Sequence, residues 1–131
     1  MRISLALIAV LPLLACTAQA EQAETAAATA APVGEPVSCV DLDQVISRRP
    51  AGAQAIVFEL TGGRRYRNEL PDHCPGLARA GKAEIVQVEA TGTRLCRDDR
   101  VRIYDPVEAR NIGAKAFPYC RLGAFTPIAA G

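Results

Sequence analysis

His73 and Cys74, side by side in "NELPDHCPGL", are the residues whose types point most directly to covalent chemistry. A cysteine thiolate with an imidazole base near it in space is the centre of many nucleophilic sites. Neighbours in an extended chain, however, project to opposite sides, so adjacency in sequence makes a poor thiolate–base pair. Pro71 and Pro75 bracket the two residues and mark a rigid turn. The expectation is that Cys74 belongs to a disulfide and that His73 lies on the surface of that turn. A metal site built from His73, Asp72 and Asp98 or Asp99 is the competing use. The chain has one histidine and no C-x-x-C, so thioredoxin-like and usual zinc spacings are both missing. Ser38 and Ser47 lie outside any nucleophile-elbow pattern, and Gly62-Gly63 lacks the phosphate-loop pattern. No catalytic residue, metal ligand or cofactor is assigned.

The arginines are the second chemical feature. Arg64, Arg65 and Arg67 fall in one alternating stretch, and Arg94, Arg97, Arg100 and Arg102 in a later one. From Val37 onward there are 14 Lys and Arg (15 less Arg2) and 11 Asp and Glu (14 less Glu21, Glu24 and Glu35), a balance of +3. If Arg65, Arg67, Arg100 and Arg102 share one sheet face, they can hold an anion, a lipid headgroup or an acidic polymer. Alternation alone also produces a solvated outer face with no ligand. The small excess and the few aromatics among the basic residues argue against nucleic acid.

The elements that must position these residues read mostly as strands. "AIVFEL" (55–60) is apolar and β-rich, Gly62-Gly63 turns the chain, and "RRYRNEL" (64–70) alternates. Tyr66, Asn68 and Leu70 take one face of it; Arg65 and Arg67 take the other. "AEIVQVEA" (83–90), "TRLC" after Thr91-Gly92, "RVRIYD" after Asp98-Asp99, and "CRLGAF" (120–125) follow as strands. "CVDLDQVIS" (39–47) fits a first strand or a single helical turn. Turns about every ten residues favour an antiparallel fold. The expected architecture is mainly β: a small, partly closed antiparallel barrel.

The N-terminus carries an address. "MRISLALIAVLPLLAC" has Arg2, an apolar run from Leu5 to Leu14 and small residues at its end, the three-part pattern of a secretory signal. Leu13-Leu14-Ala15-Cys16 resembles the bacterial lipobox, whose cysteine is acylated and becomes the first residue. Ala18-Gln19-Ala20 offers an ordinary cleavage site as the alternative, leaving a soluble periplasmic protein. The lipobox is favoured because it sits at the end of the apolar run and because five cysteines leave one over if the others pair. The domain map is therefore a signal peptide over 1–15, an alanine-rich tether over 16–36, and a disulfide-bonded domain over 37–131. That domain has 131 − 36 = 95 residues, near the size where a core alone gives modest stability.

"GGRRYRNEL", "CPGL", "LC" before an acidic turn, and "CRLGAF" together resemble a family of small exported proteobacterial proteins classified as a domain of unknown function. The resemblance spans residues 39 to 127 and rests on Cys39, Cys74, Cys96 and Cys120 with Tyr66, Asn68 and Leu70. It implies export and a disulfide framework and brings no catalytic residue with it.

In an oxidising compartment the four domain cysteines read as two bridges, for which three pairings exist. A meander that closes brings its ends together, which predicts Cys39–Cys120 and, by consequence, Cys74–Cys96. The functional expectation is a non-catalytic envelope protein, a binding or structural module anchored by lipid on Cys16 at the periplasmic side of the outer membrane. Partners would be the membrane through that lipid and a protein or envelope polymer. Anion or polymer binding through the arginine face is the sharper alternative, and a metal-dependent or hydrolytic enzyme the third.

Overall fold

The computed structural model describes residues 30–81 and 84–130. The expected signal peptide, Cys16 and the expected tether up to residue 29 lie outside the described residues. Strand β1 (Cys39–Asp41) runs through one 3-10 turn, Leu42–Gln44, into β2 (Val45–Pro50). The segment that fits strand or helical turn is thus both. β3 (Ala55–Leu60) and β4 (Arg65–Glu69) form the expected antiparallel hairpin. Gly62 and Gly63 turn it at φ of 79° and 76°, a left-handed conformation that side chains resist.

Helix α1 (Pro75–Arg79) follows, with Pro75 in its first turn, where the missing N–H costs nothing. The "CPGL" turn therefore opens a short helix. β5 (Ile85–Glu89), β6 (Arg94–Cys96) and β7 (Arg100–Tyr104) lie where alternation puts them. Helix α2 (Pro106–Ile112) is capped by Asp105, whose Oδ1 accepts from Val107 N at 2.7 Å and Glu108 N at 2.9 Å. A 3-10 turn at Ala114–Ala116 leads to β8 (Cys120–Arg121) and β9 (Phe125–Ile128). "CRLGAF" is therefore two strands separated by Leu122–Ala124.

That break is why the sheets stay open. β9 joins a four-stranded sheet in the order β2-β3-β4-β9, while β8 joins a three-stranded sheet in the order β5-β7-β8. β1 and β6 form a separate two-stranded ribbon. Between β2 and β5, the Arg48 guanidinium donates to Val86 O at 3.4 Å in place of a ladder. Among the described residues there is no closed barrel, contrary to the expectation from turn spacing. All three sheets contribute to one core, which includes Ile56, Phe58, Leu95, Val101, Leu122 and Phe125. Phe58 and Phe125 meet edge to face at 5.4 Å between ring centres, a favoured aromatic geometry. Each such buried side chain contributes about 1.5–3 kcal/mol relative to exposure.

The folded unit also begins before Val37. Pro32 bridges Ile128, Val33 N donates to Pro127 O at 2.9 Å, and Val37 exchanges two 2.9 Å bonds with Phe125. This stretch covers the outer edge of β9, which would otherwise present unpaired backbone groups.

The cysteines pair as Cys39–Cys96 and Cys74–Cys120. The expected Cys39–Cys120 and Cys74–Cys96 pairing is wrong, and the topology gives the reason. β1 lies against β6 in a register that sets Cys39 opposite Cys96, so the first segment meets the middle of the chain. Cys120, on β8, is left to Cys74 at the start of α1, and this second bridge is buried.

Candidate functional site

The four arginines of the candidate anion face are divided between two sheets. Arg65 and Arg67 lie on β4 in the four-stranded sheet, and Arg100 and Arg102 lie on β7 in the three-stranded sheet. They do not form one face. On the four-stranded sheet Arg65 sits opposite Glu59, Arg49 reaches Glu59 at 3.2 Å, and Arg67 reaches Glu69 at 3.0 Å. Signs alternate across these strands, so the charges neutralise one another locally. A cleft of about 490 Å³ opens beside Arg67, Glu69 and Gln54, walled by Ala51, Ala53 and Ala55. Gln54 Nε2 is already bonded to Leu70 O at 3.2 Å, which holds that wall in place.

Arg102 is buried at 6% exposure, not solvent-facing as its alternation with Val101 and Ile103 implies. The chain beyond β7 folds back over it. Its Nη1 donates to Ala114 O at 3.1 Å and Phe117 O at 3.2 Å. The guanidinium carbon lies 3.6 Å from the centre of the Tyr119 ring, a cation–π contact. Its Nε is 3.6 Å from Glu89, without a hydrogen bond. Arg102 therefore ties the segment after α2 to the sheet and is occupied by protein.

The outer face of this sheet otherwise carries a row that sequence reasoning missed. Glu89, Arg100 and Arg121 stand abreast on β5, β7 and β8. Tyr119 bridges the row: its hydroxyl donates to Glu89 Oε1 at 2.9 Å, and its ring centre lies 4.8 Å from the Arg100 guanidinium carbon. Arg121 Nη2 contacts Asp72 Oδ2 at 3.0 Å. Asp72 is thus turned to Arg121, beside an exposed His73. Among the described residues no three His, Cys, Asp or Glu side chains gather as a metal site. Asp98 instead holds a positive φ of 72°, and Asp99 Oδ2 accepts from Cys96 N at 2.7 Å. The acidic pair shapes the turn into β7.

Asn68, fully buried, has a structural task that its alternation signalled only as inward-facing. Its Nδ2 donates to Gly123 O and its Oδ1 accepts from Gly123 N, both at 2.8 Å. The side chain imitates a strand partner at the place where the chain passes from β8 to β9. Gly123 must be glycine there: a Cβ would fall 2.0 Å from Glu69 O.

These features define a small disulfide-stapled antiparallel β protein, and paired cysteines of this kind mark an oxidising compartment, extracellular or periplasmic. None of the described helices is long and apolar enough to cross a membrane. The family model of a family of unknown function, DUF6491, matches residues 1–128, and the chain belongs to that family. No curated protein and no solved structure matches the chain.

Proposed function

We propose that the protein is an exported, non-catalytic binding or structural module, held at the periplasmic side of the outer membrane by lipid on Cys16. The observation that carries this reading is cysteine parity. Four of the five cysteines are taken by Cys39–Cys96 and Cys74–Cys120, which leaves Cys16, in the lipobox-like Leu13-Leu14-Ala15-Cys16, for acylation. Several acyl chains, each methylene contributing about 0.8 kcal/mol when buried, make a lasting anchor where a single chain would not. Docking of Pro32 to Val37 along β9 supports the same reading, because an anchor upstream would then hold the domain at a fixed point of its sheet. The module's work is done by its surface, since the residues with chemical potential are committed: Cys74 to a bridge, Asp99 to a turn, Asp105 to a helix cap.

The test is fractionation of cells producing the native chain and Cys16→Ser. The native protein is expected in the membrane fraction and the variant in the soluble periplasmic fraction. Equal membrane association of both would refute the anchor.

A further inference from the structure

We propose that Arg100 and Arg121, backed by Tyr119, form a binding site for a phosphate group. The site stands on the register of the three-stranded sheet and is independent of the anchor on Cys16.

β7 and β8 place Arg100 directly opposite Arg121. The bond from Leu122 N to Asp99 O, one residue further along each strand, fixes the neighbouring pair as hydrogen-bonded. Arg100 and Arg121 therefore occupy the non-hydrogen-bonded position, where facing Cα atoms approach to about 4.5 Å and side chains are closest. Like charges so placed are destabilising. They share the outer face, because the adjacent Val101–Cys120 pair points into the core.

The local carboxylates do not remove the repulsion. Glu89, across the row from Arg100, accepts the Tyr119 hydroxyl and lies beside Arg102. Among the described residues no carboxylate is in ion-pair contact with Arg100. Asp72 reaches Arg121 alone, and both side chains are exposed, at 63% and 60%. An exposed pair of that kind is weak and yields readily to a stronger anion.

A phosphate group fits what remains. It carries up to two negative charges and enough acceptor oxygens for two guanidinium forks, whose planar donors match such oxygens in pairs. Tyr119, 41% exposed, stacks on Arg100 from the side of the buried Arg102. It limits the rotamers of Arg100, so less side-chain entropy is lost when an anion binds. The phosphate can come from a free phosphate ester or from a lipid headgroup; the recognising chemistry is the same.

The experiment uses the full mature chain carrying Cys16→Ser, so that acyl chains do not dominate membrane binding. Inorganic phosphate is titrated at low ionic strength, where screening is weakest, with amide and arginine side-chain NMR shifts as readout. In parallel, the protein is sedimented with phosphatidylcholine vesicles with and without phosphatidic acid. Arg100→Gln, Arg121→Gln and the control Arg65→Gln are compared, with thermal melts confirming the fold. Saturable shifts at Arg100 and Arg121, with affinity lowered at least tenfold by either variant and unchanged by Arg65→Gln, establish the site. Binding to phosphatidic acid vesicles with the same dependence, and no response to inorganic phosphate, assigns it to headgroups. A response to inorganic phosphate alone assigns it to free esters. Loss of binding in Arg65→Gln equal to that in Arg100→Gln, or no binding in either arm, overturns the proposal.

Discussion

The two main sheets carry arginines on their outer faces, yet use them in opposite ways. On the four-stranded sheet, Arg49, Arg65 and Arg67 are interleaved with Glu59 and Glu69, so each cation has an acid beside or across from it. On the three-stranded sheet, Arg102 is buried under the returning chain, and Arg100 stands against Arg121. The same alternating sequence pattern underlies both faces. What separates them is strand register and what the chain lays over the sheet afterwards.

The contrast is sharpest at the covalent tie between the sheet regions. Cys74–Cys120 anchors the short strand β8 to the segment entering α1 and is buried, whereas Cys39–Cys96 closes the half-buried β1–β6 ribbon. Their sequence separations, 46 and 57 residues, give about 4 kcal/mol each in the chain-entropy model, marginally more for the longer loop. Packing reverses that order. Cys74→Ala/Cys120→Ala should cost more than about 4 kcal/mol and lower the melting temperature further than Cys39→Ala/Cys96→Ala. Equal melting temperatures would mean that burial of the bridge adds nothing.

Arg102 against Arg67 is the next comparison. Removing Arg102 leaves Ala114 O and Phe117 O without their donor and Glu89 without its nearest buried cation. Arg102→Ala is expected to cost about 3 kcal/mol in urea unfolding, reduced from the fully buried range because Glu89 keeps some access to water. Arg67→Ala, whose partner Glu69 is 71% exposed, should cost less than about 1 kcal/mol. Similar values for the two would erase the distinction between the faces.

Asn68→Ala probes the crossing from one sheet to the other. It strips Gly123 of two partners and should cost about 2 kcal/mol, with faster amide exchange at Gly123. Arg49→Ala is the smallest case: its ion pair with Glu59 is two-thirds exposed on the arginine side, and the loss should be about 0.5 kcal/mol or less and fade with salt.

Much of the four-stranded sheet is legible in the residues. "AIVFEL", a glycine pair and an alternating strand specify a local hairpin, and its Tyr66–Asn68–Leu70 face does point inward. The three-stranded sheet is less legible because its content is non-local. Alternation in "RVRIYD" sorts Arg102 to the face away from Val101 but says nothing of Phe117 and Tyr119 returning to cover that face. The row of Glu89, Arg100 and Arg121 depends on two registers, neither set by a tight turn. The disulfides are non-local in the same way: a closing meander predicts Cys39–Cys120, whereas β1 pairs with β6 and sets Cys39 opposite Cys96. Helix α2 did have a local signal: Asp105-Pro106 followed by Glu108 is an N-cap, a first-turn proline and an acidic first turn. "CRLGAF" reads as one strand because the need for glycine at residue 123 arises from Glu69, far away in sequence.

Four cysteines staple the domain as two bridges, and the fifth, Cys16, is proposed to carry it on the membrane. Mass analysis of the mature protein, extracted from envelopes and digested without reduction, tests this most directly. Linked peptides for Cys39–Cys96 and Cys74–Cys120 and an N-terminal peptide beginning at Cys16 with acyl mass are expected. A chain beginning at Glu21 without acyl mass, or a peptide linking Cys39 to Cys74 or Cys120, would contradict it.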